Sequence, residues 1–233
     1  MSNKPVAVVA AMSRELAPLL KGLQAQKYAG IEFFELPSAV VAVGGVGRSA
    51  AGRASEAVIQ RYSPAVLVSA GVAGALTSRL HVGEVVNARE VVDADSGERF
   101  AAMGTTGTVA TVAMVSGPGE KKVLADRWQA DVVEMEAAAV AGVARAKRLK
   151  FAVLKAISDE LDFVMPPVGQ FVSKDGKFET GRFAIYLAVH PNWWSGVREL
   201  NANAKAASLK LCEALQHRID QWSREAVGGR FET

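Results

Sequence analysis

Short, almost wholly apolar runs recur along this chain, each closed by glycine or a carboxylate and each followed by a stretch of helical spacing. Runs such as VAVVA, AVVAV and AVLVSA lack the alternation of a strand with one wet face. They must be buried on both faces, as in a parallel sheet covered by helices. The spacing predicts strands over residues 5–10, 65–70, 84–92, 108–115, 131–135 and 151–156, with a hairpin over 31–43. It predicts helices over 14–23, 48–61, 120–128 and 136–148, then a loop to 181 and helices to the end. This order implies an α/β fold with a mixed, largely parallel central sheet and helices on both faces. At 233 residues, half of them hydrophobic, one domain over 1–233 is expected.

Several function classes drop out. The net charge is +3, but the basic residues are scattered, with short clusters only at Lys121-Lys122 and Lys147-Arg148-Lys150 and no aromatic-basic stripe. That argues for a solvated surface and against nucleic acid as a partner. The longest apolar runs, 39–46 and 65–76, are too short to span a membrane, and residues 1–5 lack a signal-peptide start, so a cytoplasmic protein is expected. A single cysteine, Cys212, excludes an internal disulfide and reads as a core thiol. His81, His190 and His217 share no metal spacing, and no metal or cofactor is expected.

In a sheet of this kind chemistry gathers at the carboxyl ends of strands. Five segments fall there: AAMSRE ending at Glu15, GGVGRS from Gly44, SAGVAGAL from Ser69, EMEA from Glu134 and ISDELD from Ile157. Gly45-x-Gly47-x-x-Ala50 imitates a dinucleotide fingerprint, but the next strand does not end in the acid that a ribose requires. What remains is either a tight turn or an anion cradle of backbone N–H groups beside Arg48. Gly71 and Gly74 let backbone approach whatever lies over that strand end. In EMEA, compensation of the helix dipole needs one acid, and alternation points Glu134 and Glu136 the same way. One carboxylate is left to accept from two neighbouring hydroxyls, as in a vicinal diol. In ISDELD, Ser158 or Asp159 could cap a turn, or a shielded carboxylic acid there could act as general acid. Residues 161–180, with Pro166-Pro167 and Gly169, form one long irregular segment of the kind that is either a functional lid or disordered. The tail places Val197, Leu200, Ala204, Leu211 and Leu215 on one helical face packed on the sheet. Trp193 and Trp194, with Phe163, Val164 and Met165, offer the alternative of a hydrophobic entrance.

AAMSRE, GGVGRSAAG, SAGVAGAL, VGEVV, VEMEAAAVA and KAISDELD, in this order, resemble the purine and uridine phosphorylase superfamily. The likeness is greatest to its methylthioadenosine/S-adenosylhomocysteine nucleosidase branch. It implies a three-layer α/β/α single domain, a homodimer, that cleaves the N-glycosidic bond of a nucleoside through an oxocarbenium-like transition state. Carried over by position, Asp159 protonates the leaving base, Glu136 grips the ribose hydroxyls with Met135 on the sugar, and Glu15 activates water. Glu134 is left as the structural acid at the helix start. The chain departs from the family where nucleosidases read SAG: it has Val72-Ala73-Gly74, without the serine that contacts the nucleophile. The segment 115–122 is shorter and lacks the aromatic that stacks on adenine, leaving Ser116 beside the base; Asp93, Arg99 and Phe100 are further pocket candidates. These departures keep a second reading open, in which Gly47, Arg14, Arg48 and Arg53 bind phosphate and the reaction is phosphorolysis. Some relatives of this branch, associated with hopanoids, act on adenosine with a large apolar 5′ group such as adenosylhopane. A non-catalytic nucleoside-binding protein is the third reading, disfavoured because a binder needs the diol acceptor and not the acid.

Overall fold

The computed structural model describes residues 5–114, 117–173 and 175–228. Its four innermost strands are the continuous apolar runs: β1 (Val6–Ala10), β4 (Ala39–Val43), β5 (Val66–Ala75) and β11 (Lys150–Asp159). They lie side by side in the order β4-β1-β5-β11 and are all parallel. β2 (Gln26–Tyr28) and β3 (Ile31–Glu35) extend the β4 side as antiparallel hairpins. Beyond β11, β6 (Val85–Asn87) pairs antiparallel. The far end of β5 pairs antiparallel with β10 (Val132–Glu134), which continues the sheet through β9 (Thr108–Thr111), β7 (Glu90–Asp93) and β8 (Arg99–Ala101).

Side-chain alternation sorts the two covering layers. Ala7, Val9, Val40, Ala42, Leu67 and Val153 face a core closed by α2 (Arg48–Tyr62) and α4 (Ala137–Ala146). Val6, Val8, Val41, Val68 and Leu154 face the opposite core, closed by α1 (Ala17–Leu20) and α6 (Trp194–Gly228), where Leu211, Cys212 and Leu215 are buried. α3 (Pro118–Trp128) closes a third, smaller cluster around Leu76, Val92 and Val133. The result is the expected three-layer α/β/α arrangement on a mixed sheet. No described helix is long and apolar enough to cross a membrane.

Four expectations about elements change. The helix expected over 14–23 is a 3₁₀ turn, Ser13–Leu16, followed by the single turn of α1, because Gly22 takes the left-handed conformation at φ +82°. The strand expected over 84–92 breaks at Ala88, where the chain passes from pairing with β11 to pairing with β9. SAGVAGAL does not follow a strand but lies mostly inside β5, and β11 likewise continues to Asp159. The irregular segment 161–180 contains a 3₁₀ turn, Val168–Phe171, and leads into α5 (Thr180–Val189), none of whose residues is buried.

Candidate active site

The carboxyl ends of β1, β5, β10 and β11 meet around a cavity of about 210 Å³. Glu15, Glu134, Glu136 and Asp159 all line it, so four acids separated by most of the chain share one space. Glu15 comes from the 3₁₀ turn after β1, held where its N–H donates to Met12 O at 3.1 Å while Leu16 anchors the turn in the core. Gly71 makes room for it: a Cβ there would lie 3.0 Å from Glu15 Oε2. Gly74 does the same for Asp159, whose Oδ2 would be 2.6 Å from an added Cβ. The close approach predicted at these two glycines is thus made by the site's own carboxylates.

The acids sit in different environments. Glu134 is fully engaged. It accepts from Thr111 Oγ1 at 2.6 Å, from the N–H groups of Glu136 and Ala137, and from Lys155 Nζ at 2.8 Å. It is the structural acid at the start of α4, as expected. Glu136 accepts from Gly47 N–H at 2.7 Å and Met135 N–H at 3.3 Å. These two donors fix its orientation. Burial and the charge of Glu134 push it up to about 7, against the pull of Lys155 and the two N–H groups. Glu15 has an oxygen, Oε2, that is buried and without a hydrogen-bond partner among the described residues. Burial raises it from 4.5 to about 8, helped by the charge of Glu136 and opposed by Lys155 and Arg14. Burial disfavours the Lys155 ammonium, but the charges of Glu134 and Glu136 outweigh that and raise its pKa.

Asp159 is 4% exposed and uses both oxygens: Oδ1 accepts from Ser158 Oγ at 2.8 Å and Oδ2 from Lys121 Nζ at 2.5 Å. Lys121, expected on a solvated surface, is 1% exposed, whereas its neighbour Lys122 is exposed and paired with Asp162 at 3.4 Å. Both buried lysines left a signal in the sequence. Lys155 interrupts a strand that is otherwise apolar, and Lys121 stands in the first turn of a helix, where the macrodipole prefers acids.

Met135, Val72 and Gly74 line the cavity with the acids. Ser116 lies outside the described residues. The arginines proposed for phosphate do not assemble. Arg48 gives one terminal nitrogen to Asp93 and the other to Thr111 O at 2.9 Å and Asp95 at 3.1 Å, leaving only a buried Nε unpartnered. Arg53 turns to Ser49 and the carbonyl of Asp175. Arg14 alone lines the cavity, its guanidinium 5.6 Å from the Phe178 ring centroid. Gly47, at φ +92°, donates its N–H to the carboxyl group of Glu136. Asp93, Arg99 and Phe100 do not reach the cavity either: they bind Arg48, bind Glu90 and sit beneath Arg145, respectively. Apart from Lys121 and Ser158 the rest of the lining is mainly apolar, with Met165, Val168, Val172 and Phe178 from segment 161–180 and Leu200 and Ala204 from α6. That segment docks on the glycine turn through Val46 N–H to Gly176 O at 2.8 Å. Trp193 and Trp194 are not in the lining; Trp194 is 54% exposed and bonds to Leu187 O. Among the described residues no group of three or more His, Cys, Asp or Glu side chains is arranged to hold a metal ion.

Residues 5–104 and 102–177 match the family model described as the phosphorylase superfamily, well over half of the chain. A 5′-methylthioadenosine/S-adenosylhomocysteine nucleosidase of Oceanobacillus iheyensis is 31% identical over 97 residues, 39% of this chain and 42% of that protein. The matched stretch therefore spans about two fifths of that relative's length. A protein of the same name from Psychromonas ingrahamii is 25% identical over 197 residues, 66% of this chain and 85% of that one. The solved structure of the Helicobacter pylori nucleosidase superposes with a TM-score of 0.72 over 95% of this chain and 100% of that chain; at 17% identity, it is the fold that is shared.

Proposed function

The chain belongs to the phosphorylase superfamily, and we propose that it hydrolyses the N-glycosidic bond of a purine nucleoside, a 5′-substituted adenosine, through an oxocarbenium-like transition state. Glu136, oriented by two backbone N–H groups, accepts from the ribose 2′ and 3′ hydroxyls, and Met135 packs on the sugar. As the bond to the base breaks, Asp159 protonates the departing ring and cationic character grows at C1′. Glu15 takes the proton of the water that attacks there. The names of the matched nucleosidases support the reaction class.

One observation carries hydrolysis over phosphorolysis: the contrast between Glu15 and Arg48. Glu15 offers a buried, unpartnered oxygen to a water, whereas Arg48 is held by two aspartates and a carbonyl and Arg53 faces away. Of the four residues considered for phosphate only Arg14 lines the cavity, and Lys121, the other cation in the lining, is paired with Asp159. The apolar lining from segment 161–180 and α6 supports an apolar 5′ substituent, from an alkylthio group to a chain as large as that of adenosylhopane, whichever nucleophile is used.

The test is release of free adenine from methylthioadenosine, S-adenosylhomocysteine and adenosine, with and without phosphate, alongside Asp159→Asn. Release without phosphate that Asp159→Asn abolishes is the expected result. Release only with phosphate would move the reaction to phosphorolysis, and release unaffected by Asp159→Asn would remove Asp159 as the acid.

A further inference from the structure

The reaction scheme gives no task to Lys121, the buried charge that touches its general acid. Lys121, 1% exposed in the first turn of α3, forfeits both its hydration and a favourable helix dipole to reach the cavity. There Nζ donates to Asp159 Oδ2 at 2.5 Å and to Glu160 O at 2.7 Å. β5 leaves space for this contact through Gly74, where a Cβ would stand 3.2 Å from Lys121 Nζ as well as 2.6 Å from Asp159 Oδ2. With Ser158 donating to its other oxygen, Asp159 accepts at both oxygens.

We propose that the Lys121–Asp159 pair, rather than Asp159 alone, protonates the leaving base, with Lys121 as the positioning residue that also resupplies the proton. The inference rests on the nucleosidase reading. As the C1′–N bond breaks, its electron pair goes to the base, a proton passes from Lys121 Nζ to the Asp159 carboxylate and from Asp159 to a ring nitrogen, and Lys121 is left as a neutral amine. The attacking water bonds C1′ and gives its own proton to Glu15, and solvent restores both groups.

The discriminating experiment compares two leaving groups, methylthioadenosine and para-nitrophenyl β-D-ribofuranoside, whose phenolate departs without a proton. Lys121→Met is expected to lower kcat/KM at least about 100-fold for methylthioadenosine, the lower range of general acid catalysis, with a far smaller loss on the nitrophenyl riboside. Lys121→Met/Asp159→Asn should be no slower on the purine nucleoside than Asp159→Asn. Lys121→Arg, whose guanidinium keeps the charge but does not release its proton, should stay as slow as Lys121→Met. Equal losses on both substrates, no loss on either, or full recovery with arginine overturns the proposal while leaving the nucleosidase reading intact. Wild-type enzyme that cleaves neither substrate overturns that reading, and the proposal falls with it.

Discussion

Replacing Lys155 with methionine isolates the electrostatic design of the site without requiring turnover. Lys155 is 1% exposed and its Nζ lies 2.8 Å from Glu134 Oε2, with Glu136 and Glu15 close enough for each to raise its pKa. Methionine keeps the unbranched stem and removes the ammonium. Breaking a buried ion pair by deleting one partner costs roughly 3–5 kcal/mol. For a domain of this size that lowers Tm by about 6–20 °C. The loss must also depend on pH. Glu15 is raised from 4.5 to about 8 in the fold, so between those values the folded state binds a proton that the unfolded chain has released, and stability falls as pH rises. The raised Lys155 contributes stability throughout that window, since its ammonium is lost only above its folded pKa. In Lys155→Met, Glu15 and Glu136 lose the charge that most opposes their rise and must be protonated instead, which is easier at low pH. Thermal unfolding of both proteins at pH near 5 and near 8 should show a Tm gap that widens with pH. A gap of the same size at both values, or no gap, would mean that Lys155 does not compensate these acids.

Glu15 must be ionised to take a proton from water, so kcat/KM should climb with pH through about 8, and Glu15→Gln should lose about 10²–10⁴-fold; a profile flat over that range would remove Glu15 as the base. Gly74→Ala puts a methyl 2.6 Å from Asp159 Oδ2 and 3.1 Å from Lys121 Cε, and urea unfolding should register a loss of about 1–3 kcal/mol with a sharp fall in kcat. Thr111→Val deletes a hydroxyl that donates to Glu134 at 2.6 Å and accepts from Ala138 N–H at 3.0 Å, which should cost about 1–3 kcal/mol in the same measurement while leaving KM little changed.

The parts of this fold that sequence makes legible are those with one dominant force. β1, β4, β5 and β11 are continuous apolar runs, and burial on both faces is the only arrangement that hides them. The edge strands β2 and β8, QKY and RFA, carry no such signal because what defines them is a neighbour's hydrogen bonds. The glycines of β5 are legible as a point of close backbone approach, but they read as lying at a strand end; the strand instead runs through Gly71 and Gly74, and two carboxylates lie against its backbone there. The acids themselves were legible in position, because Glu15, Glu136 and Asp159 follow strands. The partners of the cations were not, because distance along the chain hides pairing: Lys121 meets Asp159 across 38 residues and Arg48 meets Asp93 across 45. That asymmetry decides the chemistry. An arginine beside a glycine turn and a lysine beside another lysine look alike in sequence as spare positive charge, but in the fold Arg48 is neutralised by acids outside the cavity and Lys121 faces the acid inside it. With Arg48 and Arg53 held elsewhere, Arg14 is the one arginine proposed for phosphate that stays beside Glu15, while Lys121 pairs with Asp159; this arrangement supports the proposed attack by water with assisted departure of the base.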